Sequence, residues 1–186
     1  MLSGPSTTYG GGKNWKLTNI DFYHYKFALP SCPFVSVIQN IFMYDCTYGF
    51  AIWGTSTDVS AIWSSQCGVG YLWGAVIDRE TYEPVKAPGL LMYVAVNNIA
   101  ADGCSLPHKF YGFRSLSIKG MGIEGINGTH ALDFADYNEE DDQSVATVEN
   151  ISCWIQDPSG ATVTHFVELP ANEQKGPVNF RFESGY

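Results

Sequence analysis

The sequence predicts an all-β solenoid, a parallel β-helix, and three observations predict it. Ile20, Ile41 and Ile62 recur at equal steps of 21 residues, and Cys46 with Cys67 and Gly49 with Gly70 keep the same step. Ile99 and Cys104 repeat the Ile62 and Cys67 pair after one longer step of 37, which fits an insertion of about 16 residues between coils. An Asn precedes the register Ile at Asn19, Asn40, Asn98 and Asn150. A fixed period near 20 residues marks a chain in which each repeat buries its apolar face on its neighbours.

Residues 1–13 are polar and end in Gly10-Gly11-Gly12, which predicts a flexible lead-in before a single domain over 14–186. The first coil is expected from about Trp15 to Phe34 and the second from about Val35 to Thr55, with the third opening near Asp58. Their runs, such as Val35-Ser36-Val37-Ile38 and Asn40-Ile41-Phe42-Met43-Tyr44, are strand-length and rich in β-branched and aromatic residues. A first insertion falls near Ala75 to Gly89, and a further coil starts near Leu91. Ser117-Ile118 and Ile123 keep the offset of Ile99 and Cys104, which makes them the expected equivalents in the next coil. A second insertion is expected at about His130 to Gln143, then a coil over Val145 to Leu169 and an opening strand at Val178 to Phe182. Insertions in solenoids map to loops on one face, often the binding face.

The Asn series, interrupted at Ala61 and Ser117, is expected at a coil turn. Asn tolerates the left-handed backbone conformation, and stacked amides hydrogen-bond along the solenoid axis. The series reads as a structural device. The count predicts a right-handed parallel β-helix of about six or seven coils with two loop insertions.

Composition narrows the function. The chain has 186 residues, 45% of them hydrophobic and 15% aromatic, which excludes intrinsic disorder. A net charge of −9 makes it a poor phosphate-backbone binder, so no nucleic acid is expected as partner. The run Glu139-Glu140-Asp141-Asp142 reads as a solvated loop. The Cys count of five is odd, and no CxxC or Cys/His metal spacing occurs. Cys46, Cys67 and Cys104 share the repeat register, which predicts a reduced core ladder formed in a reducing cytosol. The N-terminus lacks the basic and apolar regions of a signal peptide, and no apolar run approaches bilayer length, so no membrane insertion is expected. Asn127-Gly128-Thr129 and Asn150-Ile151-Ser152 then read as chance matches to the glycosylation pattern.

The segment Val37-Ile38-Gln39-Asn40-Ile41-Phe42-Met43-Tyr44-Asp45-Cys46-Thr47-Tyr48-Gly49-Phe50-Ala51-Ile52-Trp53-Gly54 resembles a coil of a pectate-lyase-like right-handed parallel β-helix. With its dense aromatics and looped coils, the chain over about 15–183 is similar to the central domain of phage tailspike depolymerases. The resemblance implies a homotrimer of β-helices on a phage tail, folded in the host cytoplasm. It implies binding, and usually cleavage, of a bacterial capsular or exopolysaccharide by hydrolysis or β-elimination. The alternative is a non-catalytic receptor-binding or structural virion segment. No virion-attachment domain is recognisable before the first coil and no β-rich trimerisation domain after the last strand, so the chain reads either as an excised piece of a longer tailspike or as a tail-associated remnant.

Glycoside hydrolysis needs two carboxyl groups, whereas elimination from a uronic acid needs a base and a neutraliser of the substrate carboxylate. The second insertion and its flanks are richest in both, with Glu124, His130, Asp133 and Asp136 as candidate catalytic residues. Asp133 and Asp136 would point to opposite faces of a strand but could converge in a loop. The first insertion offers Glu80 and Tyr82 as substrate contacts, and Arg114 could hold an acidic sugar. Trp53 and Trp73 could line a groove, although core or subunit contact suits them better. Trp53, Trp63 and Trp73 are spaced by ten, about half a coil, which puts them on different sides. No Gly-rich phosphate loop, nucleophile elbow or Asp-x-Asp pattern occurs, and neither a cofactor nor a metal is expected.

Overall fold

The structure is a computed structural model that describes residues 14–30, 34–78, 80–87, 91–137, 145–154, 166–169 and 179–183. The lead-in, Cys32, the acidic run at 139–142 and His165 lie outside them. Among the described residues there is no helix.

The strands in chain order are β1 (Lys16–Tyr23), β2 (Phe27–Leu29), β3 (Val37–Tyr44), β4 (Tyr48–Ile52), β5 (Thr55–Ser65), β6 (Val69–Trp73), β7 (Ala75–Ile77) and β8 (Pro84–Lys86). They continue with β9 (Met92–Asp102), β10 (Leu106–Phe110), β11 (Ser115–Glu124), β12 (Leu132–Asp133), β13 (Val145–Trp154), β14 (Val167–Glu168) and β15 (Asn179–Glu183). A seven-stranded sheet runs β1-β3-β5-β9-β11-β13-β15, and a six-stranded sheet runs β2-β4-β6-β10-β12-β14. Every pairing in both sheets is parallel. The protein is all-β, built of parallel strands in stacked sheets, and the chain alternates between the two sheets. The antiparallel pair β7–β8 is the first insertion.

The register follows the sequence repeat for most of its length. Ile20 pairs with Ile41, Ile41 with Ile62, and Ile62 with Ile99 across the long step. In the next strand the partner of Ile99 is Met121, while Ile118 pairs with Val96 and Ile123 with Ala101. The expected equivalence of Ile118 with Ile99 is therefore corrected by three residues. The cause lies within each long strand. Ile38, Ile41 and Met43 all face the core, spaced by three and then two, because the residue before Ile41 breaks the pleat. Ile118, Met121 and Ile123 repeat that spacing, so an Ile stands at two different inward positions and the offset alone does not choose between them.

That break is a column of left-handed residues. Asn19, Asn40, Ala61, Asn98, Gly120 and Asn150 have φ between 52° and 77°. The Asn series thus sits at a corner inside each long strand instead of between coils, and Gly120, not Ser117, is its member in β11. Asn40 Nδ2 donates to Asn19 Oδ1 at 3.0 Å, one rung of the expected ladder. Two further left-handed columns bracket the strands: Asn14, Val35, Ser56 and Tyr93 before, and His24, Asp45, Gln66, Gly103 and Gly125 after. The stacked Gly49 and Gly70 answer a different need, since a Cβ on Gly49 would collide with the Gly70 carbonyl.

The main apolar cluster draws on both sheets. Ile38, Met43, Ile62, Ile99 and Ile118 come from the seven-stranded sheet, and Phe50, Tyr71, Trp73 and Phe110 from the six-stranded one. Phe110 stacks on Phe134 with centroids 4.4 Å apart and planes at 2°. The Tyr71 hydroxyl reaches the carbonyls of Ile62 at 2.9 Å and Ala100 at 2.8 Å. Cys46, Cys67 and Cys104 are free and buried, as the reduced ladder requires, while Cys153 is free and exposed. A hydrogen bond to Cys67 and burial push the Cys104 thiol well above its ordinary range. The second insertion is shorter than expected, because Leu132–Asp133 is a strand of the six-stranded sheet. Only two of its residues pair, and the acids around them obscured the strand signal.

Two measurements check this architecture. Val35 combines φ of 51° with 51% exposure, so a β-branched side chain bears left-handed strain without much burial in return. Val35→Asn is expected to stabilise the fold by about 1 kcal/mol in urea denaturation. The fully buried His108 accepts a hydrogen bond from Trp73 Nε1 at 3.2 Å, and burial pushes its pKa down to about 3. Below its ordinary pKa of about 6.5 the unfolded chain protonates this imidazole while the folded chain keeps it neutral, so stability falls as pH falls. Between pH 6.5 and 3 that contribution approaches about 1.4 kcal/mol per pH unit, and His108→Leu is expected to remove it from the stability–pH profile.

Candidate functional site

The outer face of the six-stranded sheet gathers the polar chemistry. β10 alternates, with His108 and Phe110 inward and Lys109 outward between them. Lys109 pairs with Asp133 on β12, which puts the two side chains on neighbouring strands. Lys109 Nζ lies 3.6 Å from Asp133 Oδ2 and 2.6 Å from Asp136 Oδ2. Asp133 Oδ1 accepts the Ala135 backbone N–H at 2.7 Å, which shapes the turn after β12. Phe134 goes into the core and Asp136 comes back on the outside. The strand ends at Asp133, so the two acids converge on one ammonium instead of pointing to opposite faces.

His130 joins the edge of this group, with Nε2 3.9 Å from Asp133 Oδ2 and Nδ1 2.9 Å from Thr129 Oγ1. Lys109 Nζ also sits 5.3 Å from the centroid of the Tyr111 ring. Burial alone would lower the Lys109 pKa, but the Asp136 hydrogen bond and the surrounding negative charge outweigh it and raise it. Burial raises the Tyr111 phenol, opposed by the Lys109 charge.

The β7–β8 hairpin packs on the same face. Ala51, Leu72, Ala75 and Tyr111 form an apolar cluster there, separate from the main core. Glu83 pins the hairpin down, accepting from Tyr48 Oη at 2.6 Å and from Lys26 Nζ at 3.0 Å. Burial and the Glu83 hydrogen bond push the Tyr48 phenol up to about 12. The Tyr111 hydroxyl lies 3.5 Å from the Pro84 carbonyl, so Tyr111 touches both the hairpin and the Lys109 group. At the hairpin tip Asp78 Oδ1 accepts the backbone N–H groups of Glu80 at 2.9 Å and Thr81 at 2.7 Å, leaving Glu80 and Tyr82 exposed.

No family model, curated protein or solved structure matches this chain. The site is read from its chemistry. Two oxygens that reach one Nζ at 3.6 and 2.6 Å lie no more than about 6 Å apart, short of the roughly 6.5–9.5 Å between the carboxyl groups of inverting glycosidases. The Tyr111 ring, His130 and Lys109 also supply the residue types that an elimination needs. Among the described residues no group of three or more His, Cys, Asp or Glu could hold a metal ion, and no helix is long and apolar enough to cross a membrane.

Other candidates fall elsewhere. Glu124 ends β11 in the seven-stranded sheet, paired with Asp102, so it stands on a different sheet from Asp133. Arg114 is exposed just before β11, where its backbone N–H donates to the Leu91 carbonyl at 2.9 Å. Trp73 is fully buried, because it is an inward position of β6. Trp53 is 7% exposed and packs edge-on against Phe34 at 5.1 Å beside Val76 and Ala87. Neither Trp presents a ring face to a sugar, which corrects their reading as substrate contacts. Trp63, by contrast, is 49% exposed on the outside of β5. Sequence reasoning missed Lys109, Tyr111, Tyr48 and the anchoring role of Glu83. A single Lys inside the apolar run Leu106–Phe110 was the available signal.

Lys109→Met is expected to destabilise the protein by about 1–3 kcal/mol at neutral pH, because it leaves the buried Asp133 carboxylate without its cation. Adding Asp133→Asn to that variant is expected to recover most of the loss, read as a coupling in a double-mutant cycle by urea denaturation.

Proposed function

We propose that the parallel sheets close into a right-handed parallel β-helix of six or seven coils, and that the chain is a segment of a phage tailspike. In this reading it binds a bacterial capsular or exopolysaccharide and depolymerises it, as part of a homotrimer on the virion. The reading is supported by one observation above the others. Two acids and a lysine converge on an outer sheet face beside an inserted hairpin, with Tyr111 joining the two. A polymer lying along that face meets the hairpin at one end and the Asp133–Lys109–Asp136 group at the other.

The carboxyl spacing favours hydrolysis with retention of anomeric configuration. Asp133, held by Ala135 and Lys109, is the positioned group, and Asp136 is the one more open to solvent. A second reading is a non-catalytic receptor-binding segment. It is favoured by the fact that Lys109 engages both acids, as a purely structural ion cluster would.

Purified protein incubated with a panel of capsular polysaccharides tests this. New reducing ends without unsaturated uronate absorbance indicate hydrolysis, and absorbance indicates elimination. Asp133→Asn and Asp136→Asn are each expected to lower cleavage by about a hundredfold or more while binding persists. Binding without cleavage of any polymer selects the receptor-binding reading. Neither binding nor cleavage sinks both.

A further inference from the structure

The opposite face of the molecule holds a second feature. On the outside of β9, β11 and β13 lies a shallow cleft of about 300 Å³, lined by Asn98, Ala100, Gly120, Gly122, Asn150 and Ser152 among others. It opens where the Asn ladder breaks. Between Asn19 and Asn40 the amides join directly, with Nδ2 of the later rung donating to Oδ1 of the earlier one. Asn98 has no such successor, because the next residue in its column is Gly120. Asn98 Oδ1 leans over the Gly120 backbone, only 2.7 Å from where a Cβ would stand. Asn150 resumes the column one strand further on. Asn98 and Asn150 thus stand two strand spacings apart in one column, roughly 9.6 Å along the backbone, with Gly120 between them.

The polarity of the Asn19–Asn40 rung, carried over to Asn98 and Asn150, defines what would complete the column. The occupant donates an N–H to Asn98 Oδ1 and offers a carbonyl oxygen to Asn150 Nδ2, which is a secondary amide. The floor beside it, Ala100 and Gly122, is apolar and accepts a methyl group. Ser152 adds a hydroxyl in the same outer column. Trp63, paired with Ala100 and 49% exposed, stands on the next strand beside the cleft, within reach of a pyranose that extends from it. The other break, at Ala61, keeps a methyl group on its strand, two residues before the outward Trp63.

We propose that this cleft binds the acetamido group of an N-acetylated hexosamine, with Asn98 and Asn150 as the amide partners and Trp63 as the ring contact. The sugar assignment rests on the polysaccharide reading above, but the site is on the other sheet and separable from the Asp133 group. It gives the protein a second sugar contact, selective for acetylated amino sugar and independent of the Asp133 group.

Tri-N-acetylchitotriose and cellotriose share a backbone and differ at the 2-substituent. By isothermal titration of the intact chain, the acetylated trimer is expected to bind about tenfold or more tightly than cellotriose, the discrimination that amide hydrogen bonds supply. Gly120→Asn restores the rung with a residue suited to positive φ. It is expected to abolish chitotriose binding without lowering the thermal midpoint. Asn150→Asp, which keeps the shape and removes the N–H donor, is expected to weaken binding about tenfold and to leave polymer cleavage at the Asp133 face unchanged. Equal affinity for the two trimers, no chitotriose binding by the unaltered chain, or binding insensitive to both substitutions would overturn the inference. Displacement of chitotriose by an equal concentration of the peptide Gly-Gln-Gly would overturn the sugar assignment in favour of a protein side chain. Intact polymer cleavage with no chitotriose binding removes this site alone. Chitotriose binding with no polymer engaged removes the depolymerase reading alone.

Discussion

Everything in this fold depends on the long strands bending without losing register. A parallel ladder wants a continuous pleat, and a continuous pleat is straight apart from its twist. One left-handed residue halfway along each strand resolves the conflict. It changes the strand's direction, and because its neighbours bend at the same height, the hydrogen bonds on either side stay paired. The core inherits its geometry from that bend. Apolar side chains alternate normally on each arm but fall three apart across the corner, as from Ile38 to Ile41 on β3 and from Ile118 to Met121 on β11.

The backbone conformation is costly for most residues, and the chain meets the cost in different ways along the column. Asn is used four times and Gly once, both suited to it. Ala61 carries the strain with the smallest side chain that has a Cβ. The bracketing columns are less well adapted, and Val35 and Tyr93 hold positive φ with large side chains at exposed positions. Those residues are held there by their neighbours' hydrogen bonds and not by their own preference. Val35, for example, donates its N–H to the Thr55 carbonyl at 3.1 Å.

The parallel strand order was legible in the sequence because the Ile column, the Cys column and the stacked glycines all repeat at one step. Each reports a different physical demand: core volume, a small apolar position, and close backbone approach. Legibility failed where one demand had two equivalent answers, as at Ile118 and Met121, both inward on β11. It failed again at β12, whose two paired residues are too few for a period to show. The candidate site was half legible. Acids in a variable loop are visible as composition, so Asp133, Asp136 and His130 stood out. The cation that organises them sits on a regular strand three residues after Leu106, and a strand Lys looks like any other outward position until its neighbour across the ladder is known. The two buried Trp residues show the converse. Aromatic residues serve cores and sugar platforms equally well, and only the direction of the side chain separates the two uses.

The Tyr71 hydroxyl reaches the carbonyls of Ile62 and Ala100, one on β5 and the other on β9. Those are the two strands between which the chain departs to make β7 and β8. The seam left by the longest excursion is therefore stitched from within, by a side chain of the facing sheet that owes nothing to the excursion itself. Variation can act on the hairpin's length and composition while β5 and β9 keep their own fastening. A molecule arranged this way can change the loop on one sheet face and keep the pairing of the strands beneath it.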